Sequence, residues 1–185
     1  MNKEKLKGIV RNFYDDYRRT LDEGDKEYRN ALKGGDVVGN PGTKIYGKNR
    51  RADFDERASN ARAAADEVFN AEFCEIDRKK TEAPSADAAA VISMMKGRDN
   101  VSPDEVRGLL ERYGGNYMAY HALADVAAKN NIKGIDRHSL DERQENLEGL
   151  WHSISRALTT IDAERHGAGA FEAVLCSMID DCQEA

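Results

Sequence analysis

The chain has 185 residues, of which 34% are charged and only 7% aromatic, with a formal net charge of −6. That length suits one domain with one elongated core, or one core and a small satellite, and so many charges among abundant alanines are typical of long helices with solvated outer faces. Two classes are excluded: no run approaches the ~18 consecutive apolar residues of a membrane span, and Cys74, Cys176 and Cys182 are odd in number, lack CxxC spacing and make neither a disulfide framework nor a zinc site.

The opening MNKEKLKGIV has no apolar h-region of a secretion signal, so the expected location is the cytoplasm, with the cysteines reduced and mostly packed. Charge is uneven along the chain. Residues 1–51 carry 13 Lys and Arg against 8 Asp and Glu, whereas residues 52–185 carry 15 against 26. A basic arm on an acidic body attracts an acidic partner or another copy of itself; the plainer reading is an uneven solvated surface.

The first helix is expected from about Asn2 to Lys33, where Leu6, Val10, Phe13, Tyr17, Leu21, Tyr28 and Leu32 keep one stripe on a 3.6-residue helix, weakened at Gly24. A glycine-rich loop follows over 33–51, KGGDVVGNPGTKIYGKNRR, which is long against the about two to eight residues that usually join helices. It is read either as a small hairpin, with Val37-Val38 paired against Lys44-Ile45-Tyr46 around Gly39-Asn40-Pro41-Gly42, or as a loop ordered only by a partner. The second helix, FDERASNARAAADEVFNAEFCEI, carries Phe54, Ala58, Ala61, Ala65, Val68, Phe73 and Ile76, its alanines allowing close approach of a neighbour.

Three shorter helices come next. ADAAAVISMMK offers Val91, Ile92, Met94 and Met95. SPDEVRGLLERY has Ser102 as cap, Pro103 at the first helical position and Glu105 as the capping-box acid, and ends at Gly114-Gly115. NYMAYHALADVAAKN turns Met118, Leu123 and Val126 inward. A third long stripe, Leu140, Gln144, Leu147, Trp151, Ile154, Leu158 and Ile161, is followed by glycines and a closing helix with Phe171, Val174, Leu175, Met178, Ile179 and Cys182 on one side, which should dock.

The expected fold is therefore all-α: an elongated three-helix bundle or coiled coil of long helices, with an inserted small helical subdomain and a docked C-terminal helix. Residues 1–83 form the long hairpin, 84–135 the subdomain, and 136–185 the third long helix and the docking helix that complete the bundle.

Motifs add little chemistry. GTKIYGKN nearly matches the phosphate loop GxxxxGK[ST], but Asn49 takes the hydroxyl position and no strand run precedes it. His138, His152 and His166 recur every 14 residues, which on one straight helix is roughly 21 Å of rise, too far for a shared metal. Each has an acid four residues away, Glu142, Glu148 or Asp162, as in exposed helix pairs. Around Gly114-Gly115 the two short helices mimic a helix-turn-helix, yet Tyr117 to Ala128 has no Arg or Lys to read DNA. No GxSxG marks a nucleophile.

Glu72/Glu75 and Glu142/Glu145 each read as ExxE, a pattern that resembles the all-helical nucleotide pyrophosphohydrolases, whose magnesium site also needs a later ExxD; none occurs here. The organisation as a whole resembles accessory and assembly proteins of phages and mobile elements, in architecture and not in any residue pattern. The functional expectation is a non-enzymatic helical interaction or scaffold protein that pairs with itself, as a homodimer, or with another protein. Its contacts are expected at Phe13, Tyr14, Tyr17 and Tyr28, an aromatic row richer than a narrow internal seam needs. No cofactor and no catalytic or metal-binding residue is assigned, and no membrane contact is expected. The alternative is a metal-dependent hydrolase using the ExxE pairs. A weaker third is an acidic partner or nucleic acid held by Lys44, Lys48, Arg50 and Arg51.

Overall fold

Apolar residues at three- and four-residue spacing, uninterrupted by proline, leave a chain little alternative to helix. The computed structural model describes the backbone of residues 1–33, 41–159 and 168–182, and side chains over those ranges except 21, 25, 27, 28, 30–33, 41–51, 168 and 169. Every regular element among the described residues is helical: α1 (Lys3–Lys33), α2 (Pro41–Lys80), α3 (Ala86–Lys96), α4 (Pro103–Tyr113), α5 (Tyr117–Lys129), α6 (Ser139–Thr159) and α7 (Ala168–Asp181). No helix among them is long and apolar enough to cross a membrane.

The loop expected over 33–51 is corrected for most of its length. α2 begins at Pro41, so Lys44-Ile45-Tyr46 is helical and cannot pair as a hairpin strand, while Val37-Val38 lies outside the described residues. Proline is pre-shaped for the first helical position and lacks only an N–H that would have no partner there. The phosphate-loop likeness fails with the hairpin, since beyond the first turn the amides of GTKIYGKN are bonded within the helix.

The chain divides into two compact units. The first comprises Met1–Asn70 and Leu147–Gln183. Its core takes Leu6, Val10, Phe13 and Tyr14 from α1, Ala58, Ala65, Val68 and Phe69 from α2, Leu147, Leu150, Ile154 and Leu158 from α6, and Leu175 and Ile179 from α7. α7 packs along α1. The contact is flanked by charge: Lys7 binds Asp180, Arg18 binds Glu172, and Lys3 Nζ donates to the Asp180 carbonyl at 3.0 Å. Cations near the last turn of α7 also suit its negative dipole end. Phe54 of α2 lies edge-on to both Phe13 and Tyr17, with ring centres 5.6 Å away in each case. Trp151 of α6 is only half-buried and donates its indole N–H to Asp66 at 2.7 Å, and Leu150 takes the inner position beside it.

The second unit is built on Ala71–Asn146. It contains the whole stretch 84–135 read as a subdomain, with the end of α2 and the start of α6. Each short helix carries its own start signal: Ser85 accepts from the Ala88 amide, Ser102 from Glu105 and Asn116 from Ala119. The capping box is half made, because the Glu105 carboxylate binds Arg98 instead of reaching back. Asn131, at φ +57°, turns the chain out of α5; asparagine tolerates that left-handed conformation. Met95, Val101, Val106, Val126 and Ala127 form one core cluster, and Ala88, Ile92, Ala119 and Leu123 another. Met118, expected inward, is exposed, as is Met94; the small Ala119 faces α3 in place of Met118.

Candidate functional site

The richest group of polar side chains gathers where the second unit brings together the end of α2, the start of α5 and the start of α6. Asp141 sits in the first turn of α6, where a carboxylate is favoured by the dipole. Its Oδ1 accepts from Lys80 Nζ at 2.7 Å and from the Tyr117 hydroxyl at 2.9 Å, and its Oδ2 lies 3.4 Å from His121 Nε2. Lys80 also donates to Gln144 Oε1 at 2.8 Å, and its ammonium stands 4.8 Å from the centre of the Tyr117 ring. His138 completes the group: the Tyr117 and Tyr120 rings meet it edge-on at 5.1 and 5.0 Å.

The electrostatics close on themselves. Burial disfavours the Asp141 anion, but the hydrogen bonds from Lys80 and Tyr117 outweigh it and hold the carboxyl below its ordinary value. Burial likewise works against the Lys80 ammonium and is outweighed by the bond to Asp141, so this pKa rises. Burial, then the bond to Asp141, raises the Tyr117 phenol. An ionised pair and a neutral phenol therefore satisfy one another across neutral pH, a latch joining three helices.

Beside the latch an open cleft of about 500 Å³ is lined by Tyr117, Met118, His121, Ala122 and Asp125 of α5 together with Lys80, Thr81 and Lys96.

The second candidate is a surface of the first unit. α7 buries Leu175 and Ile179, while Phe171, Val174 and Met178, expected on that same inward side, are 52%, 56% and 36% exposed. The correction follows from geometry: residues 171, 174 and 178 trace one stripe at spacings of three and four, displaced around the helix from the 175/179 face. Ala170 and Ser177, also exposed and small, lie alongside.

Of the residues assigned to interaction from sequence, Phe13 and Tyr14 are buried in the first unit and Tyr17 is partly buried against Phe54. Tyr28 lies on α1 and Lys44, Lys48, Arg50 and Arg51 on α2, but all five side chains fall outside the described residues. Three of the four ExxE acids are held in ion pairs: Glu72 binds Arg143 at 2.7 Å, Glu75 binds Arg78 at 2.8 Å and Glu145 binds Arg137 at 2.6 Å. Among the described residues no three His, Cys, Asp or Glu side chains are placed to hold a metal ion. His138 is buried and does not form the exposed pair with Glu142 that its spacing implied; His152 is exposed beside Trp151, and His166 is outside the described residues. The three cysteines are thiols, with Cys74 exposed and not packed as expected.

Lys80, Tyr117, His121 and Asp141 escaped sequence reasoning because residues up to 61 positions apart meet only in the fold. No family model matches the chain, and neither a curated protein nor a solved structure is significantly similar to it.

Proposed function

We propose that the protein is a non-enzymatic helical interaction protein that pairs with a second copy of itself through the exposed stripe of α7. The observation behind this reading is the second apolar face on that helix, Phe171, Val174 and Met178. A helix with apolar residues beyond the face it already buries gains by covering them.

A second copy suits the stripe for two reasons. Helix α7 contains no Lys or Arg, and two of its three acids, Glu172 and Asp180, are paired with Arg18 and Lys7, while Asp181, at its end, accepts from the Ser177 hydroxyl. Two such helices therefore meet with little charge repulsion, and the same patch on both protomers makes a closed two-fold contact. The small Ala170 and Ser177 let the helices approach closely. In this reading the stripes of α1, α2 and α6 are satisfied as a bundle within the chain, and α7 carries the seam between chains.

The test is absolute mass by light scattering for the unmodified chain and for Val174→Glu. A dimer that becomes a folded monomer in the variant is expected; a variant that keeps the dimer would remove α7 from the interface. Phe171→Ser, with circular dichroism confirming the helix content, guards against a folding defect at the first position.

A further inference from the structure

His138 occupies the position just before Ser139, the first residue of α6, and its carbonyl accepts the first bonds of that helix, from Asp141 at 2.9 Å and Glu142 at 3.4 Å. Its side chain does what a capping Ser or Asn ordinarily does. Nδ1 accepts the Leu140 N–H at 3.1 Å, and Nε2 faces the Gly114 carbonyl at 3.2 Å. A neutral imidazole has one acceptor and one donor, so these partners fix the tautomer: Nδ1 bare, Nε2 carrying the hydrogen. The residue is 6% exposed.

We propose that His138 is a proton-sensitive cap, which when neutral holds the first turn of α6 through the Leu140 N–H and when protonated releases that turn while keeping its bond to the Gly114 carbonyl. A proton on Nδ1 would turn the acceptor into a donor pointed at the Leu140 N–H. It would also place a cation at the positive end of a helix. Only the bond to Gly114 survives protonation, because Nε2 donates in both forms.

From α5 the ring is met by Tyr117, Tyr120 and His121, from α6 by Asp141, and from α2 by Lys80. Asp136, on the segment leading into α6, acts electrostatically on Tyr120. Asp141 favours the imidazolium, but its charge is already engaged by Lys80 and Tyr117. Burial foremost, with His121 and Lys80 adding to it, prevails over the Gly114 bond and Asp141, and the pKa lies below the ordinary 6.5. The unfolded chain therefore takes up the proton first, and the stability this cap provides is complete above 6.5 and is lost as pH falls through the window beneath it.

The test is amide hydrogen exchange of Leu140 to Arg143, corrected for the intrinsic effect of pH, with an NMR titration of the His138 ring. Protection of these amides should fall by up to about tenfold for each pH unit below 6.5. His138→Asn keeps a side-chain acceptor at every pH and should hold protection constant over the same range. A His138→Asn chain that loses protection as the unmodified one does would overturn the proposal. So would a His138 ring titrating at or above 6.5 with the Leu140 amide signal unmoved, a readout that needs no variant.

Discussion

The two compact units reach the same end, a closed helical core, by different means. The first is stitched by apolar and aromatic side chains from helices far apart in sequence, Phe13 against Phe54 and Leu175 and Ile179 in one core with Leu6 and Val10. In the second, local signals dominate: each helix starts at its own cap, Ser85, Ser102, Asn116 or His138, and a polar latch on Asp141 ties three of the helices together. The difference teaches where each unit is vulnerable. The first should respond to lost volume and the second to lost polar partners.

The largest effect is expected at Phe69, 1% exposed in the first unit. Phe69→Ala should cost about 3–5 kcal/mol in denaturant unfolding, with exchange accelerating in α1 and α7 before α4 and α5. Equal acceleration in all four would erase the distinction between the units. Next comes Asp141→Asn, expected to cost about 2–3 kcal/mol because it removes the counter-charge of the mostly buried Lys80 ammonium, which keeps its bond to the neutral Gln144 oxygen. The same carboxyl has a folded pKa below its ordinary 3.8, so its contribution is complete above that value and is lost as pH falls below it. An acid-unfolding curve that is unshifted in Asp141→Asn would contradict the latch.

Ser102→Ala should cost about 1 kcal/mol and fray the first turn of α4, as read from amide exchange. Least of all, Arg107→Ala, which breaks an exposed pair with Asp104 at 3.4 Å, should leave the unfolding midpoint unchanged within error. A shift as large as that of Ser102→Ala would mean that surface charge counts for as much in the second unit as capping.

Legibility in the sequence followed the same divide. Caps and prolines are local, so Ser102-Pro103 and the Gly114-Gly115 stop marked the bounds of α4 from the residues alone. Among the described residues the long stripes also told inner positions of α1, Leu6, Val10 and Phe13, and of α6, Leu140, Leu147, Ile154 and Leu158, but not Trp151, whose N–H draws it toward Asp66; the side chains of Leu21, Leu32 and Ile161 lie outside the described residues. Three kinds of feature were out of reach. Helix α2 begins at Pro41 because a proline that ends one helix equally begins another, and the glycines at 42 and 47 made the stretch read as loop. On α7, apolar residues on adjoining faces cannot be ranked until the area covered by α1 is known, so Phe171 and Leu175 looked alike. The latch was invisible for a third reason: Lys80, Tyr117 and Asp141 are ordinary residues until three helices bring them within hydrogen-bonding distance.

The central claim, a contact between copies made by the apolar face of α7, is tested most directly by the absolute mass of the unmodified chain in solution at low and at high salt. An apolar seam is little screened by ions, so the expected result is a dimer of the same stability at both. A monomer at both salts, at concentrations well above those of ordinary dimers, would contradict it, and a dimer that dissolves in salt would move the contact from α7 to the charged surfaces.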